Sequence, residues 1–386
     1  RRQGRTLLEA LVAMAACGTG PSNAAATAAA ASGNRRTAPN AAPRATPRHP
    51  AALRCRATDK QRQPRIPLRE PPAEVFAHRH ARQIDEEEKV PRELIKKLGE
   101  LGFMGAVFPT EYGGGGFGEV GYCLLQEEVG RGCLSTSTFL GAHQSIGANA
   151  IYIGGSEYLK KKYLTPLAEG KMIGAFALTE TLAGSDSFNL RTKAHFDGNE
   201  WILNGEKLWI TNGSIADVVS TFARTDKGIT GFVVETKSPG FHAGPPEKKM
   251  GIRGSVTSAI SFDNVRVPKE NVIGDDGRGF LVAMKTLDAG RLGLGSACVG
   301  ASKELLELST KYAKERKQFD VTISQFEAIQ FMLAEMATLI YAMESIVYRT
   351  AAAYDEGKSV SRQSATVKLF CSEALIKVAD RAVQVH

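Results

Sequence analysis

The sequence predicts a multidomain α+β fold: an N-terminal α-helical domain over residues 73–171, a middle β-barrel domain over 172–279, and a C-terminal four-helix-bundle-like domain over 280–386, incomplete at its end. Three observations carry that expectation. At 386 residues the chain exceeds one ordinary core, taking about 150 residues per domain as a guide. Its apolar residues recur at helical spacing, give way to β-branched and aromatic runs between turn pairs, then return to helical spacing. A hydrophobic share of 43% with 23% charged residues is ordinary for globular proteins, so most of the chain has the material for a core.

Residues 1–72 precede the folded body as a basic Ala/Pro/Arg-rich leader. They hold nine of the sixteen prolines and eighteen alanines, a composition that builds no core and reads as a disordered tail or an organelle transit peptide. Residues 4–13 also resemble the start of a type IV prepilin, although Arg5 takes the usual aromatic place and the apolar stretch ends at Gly18. The leader carries 13 Lys or Arg against 3 Asp or Glu, and the remainder 36 against 38. The net charge of +8 therefore belongs to the leader, and the body has no global attraction for phosphate polymers. No nucleic-acid partner is expected. Six cysteines without a C-x-x-C pair suit a reducing compartment and indicate neither zinc nor disulfides. Without a run of about 18 apolar residues, no membrane span is expected.

In the first body segment, Leu94, Ile95, Leu98 and Leu101 mark a helix over 75–102, and residues 113–118 break the chain with glycine. Helices follow over 122–129, 143–153 and 157–168. The β segment is punctuated by Asp197-Gly198, Asn204-Gly205 and Asp226-Lys227-Gly228. Runs 201–203 and 207–210 flank the Asn-Gly pair, which predicts a hairpin there. Further strands are expected at 218–223, 229–235 and 259–262. Leu287, Leu292, Leu294, Leu305, Leu306 and Leu308 then restore the helical period. Ile329, Met332, Leu333, Met336, Leu339 and Ile340 form a second face, and residues 367–385 a third. The sequence stops at Gln384-Val385-His386 in mid-pattern, which reads as a C-terminus still to come.

Several motifs fail on context. Gly113, Gly115 and Gly118 satisfy G-x-G-x-x-G but lack the preceding strand of a dinucleotide fold. Gly357-Lys358-Ser359 lacks the first glycine of a phosphate loop. There is no H-E-x-x-H or G-x-S-x-G, so metal and serine-hydrolase chemistry are dropped, and His143 and His195 read as structural. Two segments remain. Residues 176–186, a strand running into a small-residue turn, offer backbone N–H groups and hydroxyls to carbonyls, ring nitrogens or phosphates. Residues 209–213 add an indole to pack on a planar ring and a hydroxyl to bond its edge. A hairpin corner with a buried tryptophan would explain the second segment as well.

These segments, Glu-Arg-Lys-Gln-Phe at 315–319 and the α-β-α order resemble the acyl-CoA dehydrogenase family across residues 73–386. So do 82–86, 103–105, 109–114, 140–147, 250–255 and 265–268. The resemblance implies FAD between the β domain and the bundle. Phe176, Leu178 and Thr179 would bind the flavin ring, Ser185 the cofactor or the CoA arm, and Trp209, Ile210 and Thr211 the ring face and the N5 edge. Arg316, Phe319 and Gln384 would reach the FAD of a neighbouring subunit, which makes a homo-oligomer, dimer or tetramer. Asp288 and Arg291 match positions lining the acyl-CoA site, together with Ser185.

The implied reaction is α,β-dehydrogenation of a fatty acyl-CoA to the trans-2-enoyl-CoA. A carboxylate takes the α proton, the β hydrogen leaves as hydride to flavin N5, and electrons pass to electron-transferring flavoprotein. The family's catalytic glutamate would fall beyond His386 or, in some members, at Gly290, which has no acid; no residue in hand is named as base. Asn189 replaces a tiny residue, while Asp320 and Glu327 add negative charge near the expected FAD phosphates, or are solvated helix ends. His143-Gln144 looks like long- and very-long-chain members. An acyl-CoA oxidase-like enzyme and, for a chain that truly ends at His386, a non-catalytic binding protein are the alternatives. The compartment would be cytoplasmic in a bacterium and the mitochondrial matrix in a eukaryote.

Overall fold

The structure, a computed structural model, describes residues 72–386, with side chains from His80 onward; the leader lies outside the described residues. The first helical stretch divides in two, α1 (Pro72–Glu87) and α2 (Arg92–Glu100), because Pro91 cannot donate within a helix. Ile84, Leu94, Ile95 and Leu98 turn inward. α3 (Gly118–Gly132), α4 (Leu134–Gly141) and α5 (Asn149–Gly154) follow, and a π-helical segment, Ala142–Ala148, joins the last two. Plain α-helical periodicity over 143–153 had no room for that widened turn.

The middle domain is one eight-stranded sheet of β1 (Gly174–Ala177), β2 (Lys193–Phe196), β3 (Glu200–Thr211), β4 (Val218–Thr225), β5 (Gly228–Glu235), β6 (Phe241–Ala243), β7 (Thr257–Pro268) and β8 (Val272–Ile273). Its order is β6-β7-β3-β2-β4-β5-β8, with β1 parallel to β4. The hairpin expected at Asn204-Gly205 does not form. β3 runs through it, paired along its length with the equally long β7. Gly205, at φ 144°, is instead a bulge, and a Cβ there would lie 2.7 Å from Thr192. The reversal sits earlier, where Asp197 Oδ1 accepts the N–H of Asn199 (3.0 Å) and Glu200 (2.9 Å) and turns β2 into β3.

The third segment contains α6 (Gly279–Glu315), α7 (Glu327–Asp355) and α8 (Ser361–Val385), with a small hairpin of β9 (Lys317–Gln318) and β10 (Val321–Thr322) after α6. Leu292, Val299 and Leu305 pack with Met336, Ile340, Met343 and Val347, and with Val367, Cys371 and Leu375. Cys123 of α3 joins the same core, so the N-terminal segment contributes a fourth helix. Asp355, at the end of α7, fastens it by accepting the N–H of Glu119 (2.7 Å) and Val120 (3.0 Å) at the start of α3. By length and composition α7 is apolar enough to cross a membrane, with a mean hydropathy of 1.3 over its best window. The expectation drawn from uninterrupted apolar runs missed it because scattered charges divide the stretch. Here α7 is a bundle helix with one buried stripe.

Candidate functional site

The end of β1 and the middle of β3 form one wall. Phe176 and Leu178 are buried, with Phe176 packed on Phe222 at 5.1 Å between ring centroids. Thr179 is half-buried, and beyond it the chain surfaces: Leu182, Gly184, Ser185 and Asp186 are exposed. A Cβ on Gly184 would touch nothing within 4 Å, which marks an open ledge. Asn189 closes that ledge through side-chain and backbone bonds to Asp186.

Sequence reasoning missed the bolt that holds this wall. Lys207 Nζ lies 2.8 Å from Glu180 Oε1 and donates to the Leu178 carbonyl at 3.2 Å, with its side chain fully buried. Glu180 also accepts the N–H of Arg191 (2.5 Å) and Thr192 (3.0 Å). The Leu208 N–H donates to the Thr179 carbonyl at 2.9 Å. Residues 178–180 are thus pinned to the strand that carries Trp209. Burial pulls Lys207 down to about 8, still protonated at neutral pH. Burial works against the Glu180 carboxylate, but the bonds from Lys207, Thr192 and Arg191 prevail and hold its pKa below the ordinary value. A signal existed: Lys207 shares inward parity with Trp201 and Leu203, where a charge requires a partner, and Glu180 is the one acid in residues 176–185.

Trp209 interrupts the pleat. It sits at φ 59° within a register shift between β3 and β7, and is 58% exposed while Ile210 beside it is buried. A bulky residue in the left-handed region is a rare conformation, found where the surroundings impose it. The bulge turns the indole out of the sheet, so the hairpin-corner reading with a buried tryptophan fails. Thr211 is half-buried next to it. Asn212, also missed, anchors the end of the segment: its Nδ2 donates to the Phe139 carbonyl at 3.2 Å and its own N–H to that of Val256 at 2.8 Å.

The structure gathers Arg316, Phe319 and Gln384 into a second group at one end of the bundle. Arg316 ends α6 and is exposed. Phe319 and Asp320 form the two-residue turn between β9 and β10, at φ 53° and 63°, with Phe319 89% exposed. Gln384 precedes Val385, which is buried with Ala313 and Ile323. Asp320 is therefore a turn residue and not a helix end, and it occupies a left-handed position that favours glycine. Asp320→Gly is expected to raise stability by about 0.5–1 kcal/mol, read as a higher denaturation midpoint. Glu327 opens α7, where a carboxylate suits the positive end of the helix.

Asp288 and Arg291 form a third group on α6. Arg291 Nη1 lies 2.6 Å from Asp288 Oδ1, which also accepts from Ser361 and Ser364 at 3.2 Å each, tying α6 to the start of α8. Gly290 lies between them, and a Cβ there would come within 2.8 Å of Ile146 Cγ2, so the position leaves no room for an acidic side chain as the structure stands.

An outward indole, a threonine on either side of it and an open small-residue ledge fit a planar ring bearing a phosphorylated tail, the requirements of a flavin cofactor. The class defined is a flavin-dependent oxidoreductase. Comparison with known proteins narrows it: residues 58–171, 175–265 and 277–386 match the N-terminal, middle and C-terminal domains of acyl-CoA dehydrogenase, and the chain belongs to that family. It is 43% identical over 313 residues to a probable acyl-CoA dehydrogenase of Bacillus subtilis, covering 80% of this chain and 82% of the relative. It is 40% identical to the short-chain-specific acyl-CoA dehydrogenase of Clostridium acetobutylicum, covering 79% and 82%.

Among solved structures, butyryl-CoA dehydrogenase from Megasphaera elsdenii superposes with a TM-score of 0.78 at 38% identity, covering 81% of this chain and 85% of that one. A chain from a structure described as the electron transferring flavoprotein of Acidaminococcus fermentans gives 0.79 at 42%, covering 81% and 85%. An acyl-CoA dehydrogenase of Bacillus anthracis complexed with FAD gives 0.76 at 37%, covering 81% and 58%. The family binds FAD, and this chain is an oxidoreductase of that kind.

The likeness of His143-Gln144 to long- and very-long-chain members is not upheld, since those of these relatives whose names state a chain length are of short-chain and butyryl type. Both residues are fully buried and brace the scaffold. His143 Nδ1 accepts the Gly174 N–H at 3.0 Å, its Nε2 meets the Leu167 carbonyl at 3.1 Å, and Gln144 donates to the Phe103 carbonyl at 3.0 Å.

Proposed function

We propose that this enzyme dehydrogenates a short-chain acyl-CoA, of butanoyl size, across its α,β bond and passes the electrons to an electron-transferring flavoprotein. The single observation that carries the site is Trp209, an exposed indole held outward by a left-handed bulge beside Thr179 and Thr211. The short-chain and butyryl relatives support the substrate size, and the likeness to the Acidaminococcus chain supports the acceptor. Bound FAD supplies the hydride acceptor. Phe176, Leu178 and Thr179 position the ring, Trp209 and Ile210 exclude water from its face, and Thr211 donates toward its N5 edge. Ser185, on the ledge, binds the cofactor tail or the CoA arm.

Asp288, whose Oδ1 is held by Arg291 and two serines, holds the Arg291 guanidinium toward the CoA portion. Arg316, Phe319 and Gln384 serve the FAD of a second copy, so the working form is a homo-oligomer. Phe331 and Tyr341 on α7 and Leu369 on α8 are 69%, 74% and 62% exposed, apolar side chains that a second copy packed on the bundle would cover.

The test is calorimetric binding to the FAD-loaded protein. Butanoyl-CoA is expected to bind more tightly than hexadecanoyl-CoA, and Arg291→Ala to weaken both about tenfold or more through loss of charge-assisted bonds. Tighter hexadecanoyl-CoA binding would contradict the substrate assignment.

A further inference from the structure

We propose that Phe188 is a specificity contact for the pantetheine arm of the CoA substrate; this rests on the assignment of Ser185, Asp288 and Arg291 to the CoA site. Phe188 sits in the ledge loop three residues after Ser185 and is 57% exposed. Its ring meets that of Phe280 edge to face, with 5.2 Å between centroids. Phe280 is half-buried in the first turn of α6. Arg291 follows eleven residues later, about three turns and roughly 16 Å along the same face of the helix. The two rings therefore bridge the ledge, which carries Ser185, and the helix, which carries Asp288 and Arg291. A ligand arm that touches both sides of this site lies across the open part of Phe188.

The exposed ring is held in place. Arg224 on β4 donates from Nη2 to the Phe188 carbonyl at 2.6 Å and from Nε to the Leu190 carbonyl at 3.2 Å. Its guanidinium carbon lies 5.9 Å from the Phe188 ring centroid, and its backbone N–H donates to the Thr192 carbonyl at 2.8 Å. With Arg224 beneath it and Phe280 at its side, Phe188 presents a fixed apolar surface among Ser185, Asp186, Ser187 and Asn189. Pantetheine matches that mixture: its methylene and dimethyl groups pack on a ring, and its amides bond to hydroxyls and backbone. The nucleotide end of CoA matches it less well, since Asp186 exposes a carboxylate two residues away and Arg224 already commits two donors to carbonyls.

Calorimetry on FAD-loaded wild-type protein, Phe188→Ala and Phe188→Tyr tests this, with butanoyl-CoA, butanoyl-pantetheine and butanoyl-N-acetylcysteamine as ligands. The second lacks only the nucleotide, and the third ends at the first amide. Covering the exposed part of a phenyl ring is worth on the order of tenfold in affinity. Phe188→Ala is therefore expected to weaken butanoyl-CoA and butanoyl-pantetheine about tenfold each and to leave butanoyl-N-acetylcysteamine within about twofold. Phe188→Tyr keeps the ring and should bind all three as the wild type does. If the alanine variant does not retain flavin, Phe188→Leu carries the same comparison with a loss of about threefold. Equal weakening of all three ligands would make Phe188 a support of the ledge only and overturn the inference. Unchanged butanoyl-pantetheine binding, including a loss confined to butanoyl-CoA, would overturn it too. Wild-type protein that binds butanoyl-CoA no more tightly than butanoyl-N-acetylcysteamine would instead overturn the assignment of the CoA site on which it rests.

Discussion

Lys207→Met is expected to cost about 3–5 kcal/mol of stability, because it strands the Glu180 carboxylate in a site where the side chain is 7% exposed. The two backbone donors from Arg191 and Thr192 remain, but the buried counter-charge is gone. For a chain of this length the melting temperature should fall on the order of 10 °C. Flavin retention should fall with it, since Leu178, Thr179 and Leu208 lose the tie that sets their spacing. Replacing both members, Lys207→Met with Glu180→Leu, should recover part of the loss, as removing a buried pair together is far cheaper than removing half of it. Differential scanning calorimetry with visible absorbance of the retained flavin reads both effects. A single variant that melts with the wild type would show that the pair does not hold the wall.

Acid should destabilise the protein through His143. Burial pulls its pKa down to about 4, the two backbone carbonyls near it opposing only in part, whereas the unfolded chain has the ordinary value of about 6.5. Between those values the unfolded state takes up a proton that the folded state refuses. The stability His143 confers is thus complete above pH about 6.5 and is lost as pH falls toward 4, a change of about 3 kcal/mol. His143→Gln, which keeps one donor and one acceptor, should flatten this limb.

Glu119 runs the other way. Burial, with the Asp355 carboxylate beside it, raises its pKa to about 8, so its contribution is complete below its unfolded value and declines as pH rises to 8. Denaturant titrations of wild type and His143→Gln from pH 7 to pH 4.5 isolate the histidine by difference. Parallel curves would contradict the assignment.

Much of the architecture was legible in periodicity. The α, β, α succession follows from apolar spacing, and Thr179, Trp209 and Thr211 stood out as groups suited to a planar ring. What escaped depended on partners far along the chain. Asn204-Gly205 has the composition of a hairpin, yet the runs on either side pair with β7 and not with each other, so local turn chemistry lost to tertiary pairing. The π-helical segment keeps α-like composition and is widened where Gly147 and His143 meet β1. Lys207 and Glu180 lie 27 residues apart, and only the parity of Lys207 in its strand hinted that it was buried. Asp320 read as a solvated helix end or as a charge near a phosphate, and the backbone makes it a turn residue and not a helix end.

Trp209 forms the face against which the flavin of the proposed enzyme rests, and tryptophan fluorescence measures that contact. The chain has two tryptophans, and Trp201 is buried within the sheet. Titrating flavin-free protein with FAD should yield a yellow protein and quench the Trp209 emission, leaving in Trp209→Phe only the weaker response of Trp201. A protein that takes up FAD with equal quenching in wild type and Trp209→Phe, or that takes up none, would contradict it.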